Sequence, residues 1–267
     1  MNLNLKNKNA LVCGSTAGIG KATAIALSNE GVNVTLIARN EDKLKEVLSQ
    51  LSSSENHSYI VADFSNPEEL RQKVSSFIND FPLRGTKGAG FHILVNNTGG
   101  PRSGDILTAT LEQFENTFTQ HLKCNHVLAQ AVVPFMKKEG FGRIINIIST
   151  SVKEPIPGLG VSNTIRGAVG NWSKTLSIEL GEFGITVNNI LPGFTETERL
   201  NEIIKAKAQK EGTSFEEMAE IMKSYAPVKR FAKPEETANA IVFLVSEAAS
   251  YINGINLPVD GGRTKSL

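Results

Sequence analysis

Short apolar runs alternate along the chain with longer amphipathic stretches. The apolar runs are rich in Val and Ile and occupy 9–13, 32–38, 58–62, 91–97, 143–149, 185–191 and 254–259. The stretches between them place apolar residues at helical spacing, at 18–30, 41–53, 67–80, 111–138, 161–183 and 234–248. Strands that alternate with helices pair in parallel and are covered on both faces. The pattern therefore predicts an α/β fold of three layers around a seven-stranded parallel sheet.

One segment interrupts this alternation. Residues 196–226 are charged and helix-permissive, with scattered Ile, Met and Phe, and they follow the sixth predicted strand. Two interpretations stay open, a lid over a binding site and a solvated pair of helices. The chain shows no internal repeat or linker, and its 267 residues, 40% hydrophobic, can bury a full-sized core. We therefore expect a single domain over 1–267.

A glycine-rich turn joins the first strand to the first helix. It reads Gly14-Ser15-Thr16-Ala17-Gly18-Ile19-Gly20. Glycines at such a turn let backbone N–H groups approach a pyrophosphate, which the orphan donors and dipole of the helix N-terminus stabilise. This arrangement is typical of the doubly wound Rossmann fold and of dinucleotide binding. A nicotinamide dinucleotide is therefore the expected cofactor.

The end of the second strand bears on which dinucleotide binds. An Asp or Glu there accepts a hydrogen bond from the adenosine 2′-hydroxyl and would repel a 2′-phosphate. This chain has Ala38 followed by Arg39. An arginine can pair with phosphate through two parallel hydrogen bonds, so NADP(H) is favoured over NAD(H). The alternative is that Arg39 is an ordinary surface charge.

Composition and charge argue against several other classes of function. The formal net charge of +1 gives no field that would attract nucleic acid or an acidic membrane. No apolar run reaches the length of a membrane helix and no signal peptide is evident, so we expect a cytoplasmic protein. Cys13 and Cys124 lack metal-binding or redox spacing, and the four histidines form no metal motif. No metal site is expected.

Across nearly its whole length the chain resembles the short-chain dehydrogenase/reductase superfamily, and in overall pattern its 3-oxoacyl-[acyl-carrier-protein] reductase-like members. The resemblance rests on the glycine spacing at 14–20, Asp63 after the third strand, Asn96-Asn97-Thr98-Gly99 after the fourth, Pro192-Gly193 after the sixth, and Val259-Asp260-Gly261-Gly262. It implies that Asp63 contacts the adenine, that Asn97 lies beside the adenosine ribose with Gly99 nearby, and that Pro192, Gly193 and Thr195 border the nicotinamide. It further implies a homotetramer whose helices near 111–138 and 161–183 pack between subunits.

The catalytic positions depart from the family pattern. Members usually carry an Asn, Ser, Tyr and Lys tetrad, with Tyr-x-x-x-Lys thirteen residues after the Ser. Ser149 matches the Ser, but the counted positions hold Ser162 and Arg166, and His121 stands where the Asn is expected. The only tyrosines are Tyr59, Tyr225 and Tyr251, so no shift of alignment restores the phenol.

The missing phenol leaves the proton donor open. Hydride transfer to a ketone produces an alkoxide that needs a proton, and a serine hydroxyl is a poor acid. Arg166 can anchor the nicotinamide ribose but stays protonated. The candidate donors are His121, which ordinarily titrates near neutrality, Lys153 and Tyr225. The leading hypothesis is an NADP(H)-dependent oxidoreductase acting on a small carbonyl or alcohol, and its rival is a dinucleotide-binding protein with little turnover.

Overall fold

A parallel sheet of seven strands forms the centre of the molecule. The computed structural model describes residues 2–52, 56–81 and 90–266. The sheet order is β3-β2-β1-β4-β5-β6-β7, and every neighbouring pair is parallel. The strands are β1 Asn9–Cys13, β2 Asn33–Ala38, β3 Ser58–Val61, β4 Ile93–Asn96, β5 Gly142–Ile147, β6 Ile185–Pro192 and β7 Asn256–Val259.

Helices cover the sheet on both sides. They are α1 Gly18–Asn29, α2 Glu41–Leu48, α3 Pro67–Asn79, α4 Leu111–Phe118, α5 Cys124–Glu139, α6 Gly160–Leu180, α7 Glu198–Glu211, α8 Phe215–Ser224 and α9 Pro234–Val245. Helices α1, α2 and α9 share one apolar cluster with the sheet, while α3, α5 and α6 share another. Both faces of the sheet are thereby buried, and the predicted three-layer Rossmann fold is confirmed.

The largest differences from the predicted helices concern two of them. The helix predicted over 41–53 ends at Leu48, and residue 53 lies outside the described residues. The helix predicted over 111–138 is instead α4 and α5 joined by a π-helical stretch, Thr119–Lys123. In a π segment each backbone hydrogen bond spans five residues instead of four, which changes the direction of the side chains in it. His121 is one of these residues.

The segment after β6 forms a helical pair with its own core. Helices α7 and α8 pack their buried Leu200, Ile204, Met218 and Met222 against one another and against Phe231. Thr197 and Ser214 cap the two helices by accepting hydrogen bonds from the backbone three residues on. Helices α7 and α8 therefore share an apolar core.

The order of the strands fixes where a ligand can lie. After β1 the chain forms β2 and β3 on one side of β1, and it then returns to form β4 on the other side. Strands β1 and β4 are therefore adjacent in the sheet although β2 and β3 lie between them in sequence. Ligands of open α/β sheets bind beyond the carboxyl ends of the strands at such a switch point. Most of the predicted cofactor-binding residues follow strands of the sheet, whereas Ser162, Arg166 and His121 lie on helical segments.

Candidate functional site

The glycine turn packs closely against the loop that follows β4. Gly14 and Gly18 have positive φ values of 56° and 52°, a conformation that side chains disfavour. A Cβ on Gly14 would lie 2.6 Å from the Asn97 carbonyl oxygen, and one on Gly20 would lie 2.2 Å from the Gly14 carbonyl oxygen. Asn97 donates from Nδ2 to that same oxygen at 3.2 Å. At Gly14 and Gly20 the turn therefore has no room for a side chain.

The N-terminus of α1 differs from most other helix starts in the fold. Helices α2, α3, α4, α7 and α8 each begin with a side chain that accepts a backbone hydrogen bond. The residue at this position of α1 is Ala17, which has no such group. The first N–H groups of α1 thus keep their capacity to donate to an anion. This geometry fits the pyrophosphate of a dinucleotide, with Ser15, Thr16, Gly18, Ile19 and Gly20 around it.

The residues proposed for the adenosine end follow β2 and β3. Arg39 comes directly after β2 and is exposed, and Asn40 beside it caps α2. Asp63 is half-buried and accepts a hydrogen bond from the Ser65 backbone at 2.9 Å. The Asp63 carboxylate therefore already orders its own turn, and one of its oxygens remains for a ligand.

A ladder of four asparagines crosses the sheet just below the site. Asn96, Asn146, Asn189 and Asn256 occupy matching positions on β4 to β7. Each amide donates to the next, at 2.8, 3.0 and 2.8 Å. Because the four side chains lie in one line, they fix the relative register of the strands that carry the site residues.

The chain beyond β5 carries Ser149. Its hydroxyl oxygen accepts a hydrogen bond from the Ser151 backbone at 3.1 Å, so its own O–H stays available to donate. Thr150 next to it accepts from Arg263 at 3.0 Å, and the guanidinium of Arg263 stacks 4.5 Å from the ring centroid of Phe194. Lys153, three residues further, is half-buried. The carboxyl-terminal segment thus closes this side of the site.

Arg166 lies deep beneath the site on α6. Its Nη1 donates to the carbonyl oxygen of Ile147 at 2.7 Å. Its Nη2 lies near Gly100, at 3.9 Å from the position of a Cβ there. Burial lowers the pKa of Arg166 to about 10, so the group is still a cation at neutral pH. Ser162, one turn earlier on α6, is only half-buried.

His121 lies in the π-helical stretch with 2% of its surface exposed. Its Nδ1 is 2.6 Å from the hydroxyl oxygen of Thr98. Burial and the nearby Arg166 cation lower its pKa well below the usual range, against the opposing effect of a hydrogen bond from the ring to the Gly99 backbone. The expectation that His121 titrates near neutrality was wrong, because its protonated form loses hydration and faces a second cation. At neutral pH the ring is uncharged.

The loop after β6 completes the nicotinamide side of the site. Pro192 ends β6, and the backbone N–H of Gly193 donates to Val259 at 2.9 Å. Thr195 is buried and donates to the Gly193 carbonyl oxygen at 3.3 Å. Tyr225 at the end of α8 is 49% exposed, with its ring centroid 6.3 Å from that of Phe194.

Helix α7 reaches across the cleft at the switch point. The methyl carbon Cγ2 of Thr197 would lie 2.9 Å from a Cβ on Gly18. Arg199 donates from Nη2 to the carbonyl oxygen of Pro101 at 2.7 Å. The start of α7 therefore contacts both the glycine turn and the loop after β4.

Three contributions to the site escaped the sequence interpretation. Thr98, Arg199 and Arg263 are brought in by the loops after β4, β6 and β7. For Thr98 a signal existed, because it stands where the resembled family has alanine in Asn-Asn-Ala-Gly. Arg199 and Arg263 carry no such signal, since nothing in their spacing predicts Pro101 or Thr150 as partners.

Two further properties concern the described part of the chain. No helix there combines the length and the apolar character needed to cross a bilayer. Within residues 2–52, 56–81 and 90–266, no cluster of three or more His, Cys, Asp or Glu side chains could hold a metal ion.

Comparison with known proteins gives a family and several relatives. The sequence model described as "Enoyl-(Acyl carrier protein) reductase" matches residues 14–264. The chain is 30% identical over 263 residues to the NADPH-dependent reductase BacG of Bacillus subtilis, covering 98% of this chain and 100% of that protein. It is 32% identical over 265 residues to dehydrogenase/reductase SDR family member 4 of Sus scrofa, covering 98% and 89%.

A solved structure agrees with these sequence matches. The L-sorbose reductase of Gluconobacter frateurii, complexed with NADPH and L-sorbose, superposes with a TM-score of 0.91 at 32% identity, covering 100% of both chains. The fold is therefore that of a family of enzymes. The chain belongs to the short-chain dehydrogenase/reductase superfamily and is an oxidoreductase.

Proposed function

We propose that the protein is an NADP(H)-dependent oxidoreductase that reduces a small carbonyl compound or oxidises the corresponding alcohol. The observation that carries this proposal is the uncapped start of α1 beside Gly14 and Gly18, which leaves backbone donors for a pyrophosphate. Relatives with NADPH in their names or titles support the choice of cofactor.

The preference for NADP(H) rests on Arg39. This arginine is exposed at the end of β2, and Ala38 before it offers no carboxylate that would repel a 2′-phosphate. A guanidinium can donate two parallel hydrogen bonds to a phosphate. Asp63 and Asn97 are proposed to border the adenosine, with Gly99, Pro192, Gly193 and Thr195 along the nicotinamide half.

The chemistry is assigned to the side chains beyond β5. When bound, the cofactor supplies or accepts the hydride. Ser149 is proposed to hold the carbonyl oxygen, because its O–H is free to donate. Arg166 is proposed to anchor the nicotinamide ribose from below, since its guanidinium is buried and fixed on Ile147.

The route of the proton is proposed to differ from that of relatives with the full tetrad. Ser162 holds the position of the usual tyrosine, and a hydroxyl of that kind relays a proton but is a weak acid. Neutral His121 does not act as an imidazolium donor at pH 7. We therefore propose Lys153 as the proton donor. It lies at the end of the turn that begins at Ser149.

We further propose a homotetramer in which α4, α5 and α6 pack between subunits. Large apolar side chains on and next to these helices are exposed in the single chain, namely Ile106, Leu107, Leu111, Phe118 and Ile178. We propose that these side chains form the apolar part of the interface between subunits.

A single-turnover experiment tests the proposed activity. Purified protein is loaded with NADPH, and its oxidation is followed against a panel of ketones, quinones and acyl thioesters. Oxidation that is stoichiometric with protein for at least one class supports the proposal. Tight NADPH binding without oxidation by any class contradicts it. A variant with Ser149→Ala distinguishes catalysis at the site from reduction elsewhere, since it should bind NADPH normally and react more slowly.

A further inference from the structure

Two departures from the family pattern meet in this structure. Thr98 stands at the alanine position of Asn-Asn-Ala-Gly, and His121 stands at the position of the tetrad asparagine. Their side chains are joined by a hydrogen bond of 2.6 Å between Thr98 Oγ1 and His121 Nδ1. The π-helical stretch around His121 brings the two together, although they are 23 residues apart.

The second imidazole nitrogen of His121, Nε2, has no hydrogen-bond partner among the described residues. His121 Nε2 and Arg166 Nε are both buried, and neither has a hydrogen-bond partner in the described part of the chain. The guanidinium is near enough to act electrostatically on the ring. It also lies beside Gly100, two residues after Thr98. One small region therefore contains Thr98, His121 and Arg166.

The hydrogen-bonding capacities of these groups decide the tautomer. Nε2 has no hydrogen-bond partner in the described part of the chain, so a proton there would be a buried donor without an acceptor. A proton on Nδ1 instead donates to Thr98 Oγ1 and leaves only a lone pair on Nε2. The ring nitrogen that carries the proton is set by the hydrogen bond made at the other nitrogen. The tautomer with the proton on Nδ1 is therefore favoured, because it leaves no N–H group of the buried ring without an acceptor.

We propose that Thr98 is a positioning residue that holds His121 in the Nδ1–H tautomer, with Nε2 kept as a hydrogen-bond acceptor inside the active site. Nε2 and the N–H of Arg166 Nε then form an acceptor and a donor in one buried region. A hydroxyl group both donates and accepts, so this pair suits a hydroxyl of a bound ligand or a water molecule.

The tautomer can be measured directly on the intact protein without ligand. Protein labelled with ¹⁵N in its histidines is observed by long-range ¹H–¹⁵N correlation at pH 7.5, and His121→Asn identifies the resonances. We expect His121 Nδ1 to carry the proton in the wild type. Thr98→Val removes the hydroxyl and should move the proton wholly or partly to Nε2, whereas Thr98→Ser should keep it on Nδ1.

A matched control separates this effect from a general disturbance of the region. Thr117 is also buried, one turn before His121, and its hydroxyl donates to the Gln113 carbonyl oxygen of its own helix at 2.6 Å. Thr117→Val should leave the His121 tautomer unchanged. A wild-type spectrum with the proton on Nε2, or a tautomer that is the same in wild type and Thr98→Val, overturns the proposal. The wild-type spectrum alone suffices if Thr98→Val does not fold.

A kinetic measurement extends the test and rests on the proposed function. Thr98→Val should lower kcat about two- to tenfold, the effect of one neutral hydrogen bond, with NADPH affinity unchanged. Thr98→Ser should restore kcat. If wild type and variants show no turnover, the proposed function fails while the tautomer result still stands. An unchanged kcat in an active enzyme would remove the catalytic role of the pair.

Discussion

Arg199, at the start of α7, holds the loop after β4 by a hydrogen bond of 2.7 Å from its Nη2 to the carbonyl oxygen of Pro101. This bond crosses the cleft at the switch point of the sheet, between two loops 98 residues apart in the chain. The same guanidinium pairs through Nη1 with exposed Glu202 at 3.1 Å. The contact with Pro101 therefore links α7, which we propose to be part of a lid, to the loop after β4.

Loss of this link should let the cofactor leave faster. Arg199→Ala is expected to increase the dissociation rate of NADPH about two- to tenfold, because one hydrogen bond that holds the lid is removed. Stopped-flow fluorescence of bound NADPH measures the rate. Glu202→Ala is the control, since it removes the exposed ion pair and retains the contact with Pro101. Equal rates in Arg199→Ala and Glu202→Ala would show that the contact does not retain the cofactor.

Cofactor choice should depend on Arg39. Replacing it with Ala is expected to weaken NADPH binding by roughly 1.5–3 kcal/mol, the value of a hydrogen bond to a charged group, and to leave NADH nearly unaffected. Fluorescence titration with both cofactors measures the difference. Lys43→Ala, an exposed cation on α2, controls for the general loss of positive charge. Equal losses for NADPH and NADH would remove the 2′-phosphate assignment.

Restoring the family's acid should accelerate ketone reduction. The double change Ser162→Tyr with Arg166→Lys returns a phenol and its neighbouring ammonium, and positioned acid catalysis contributes about 10²–10⁴-fold. Steady-state rates with an accepted ketone measure the gain. Ser162→Phe with Arg166→Lys has the same bulk without the hydroxyl and should show none. A gain in the phenylalanine variant would mean that the effect comes from packing.

Folding stability should fall in mild acid because of a buried histidine. Burial and the Lys8 cation lower the pKa of His92 to about 4, and its Nδ1 accepts from the Asn9 backbone at 3.0 Å. Below pH 6.5 the unfolded chain binds a proton that the folded chain refuses, so His92 reduces stability as pH falls from about 6.5 to about 4 and has no such effect above this window.

Urea unfolding at several pH values checks this coupling. His92→Gln should flatten the decline in unfolding free energy between pH 6.5 and 4 relative to wild type, by at most about 1.4 kcal/mol per pH unit. The exposed His126→Gln should keep the wild-type slope. Parallel slopes in wild type and His92→Gln would contradict the linkage.

The proposed tetramer should depend on the apolar surface of α4. Light scattering at micromolar concentration is expected to give a mass near four times the 28.8 kDa chain. Leu111 is 80% exposed, and Leu111→Lys should lower the mass by placing charges in a buried interface. Ile221→Lys, on exposed surface of α8, is the control. A wild-type monomer would remove the assembly inferred for these helices.

The sequence alone determined the layout of the fold and the position of the glycine turn within it. Both are local properties: the alternation of apolar runs and helical spacing predicts each strand and helix, and the turn at Gly14 to Gly20 lies wholly between two consecutive elements. Arg39 and Asp63 could likewise be placed because they directly follow predicted strands. Residues at strand ends inherit their positions from the order of the sheet.

Only the tertiary structure decided the state of the catalytic groups. The sequence left His121 as a group of ordinary pKa, whereas burial near Arg166 makes it a neutral acceptor held by Thr98. A pKa depends on hydration and on charges that the fold brings near, and neither follows from spacing along the chain. The contact of Arg199 with Pro101 is decided in the same way, by loops that meet only after the sheet has assembled.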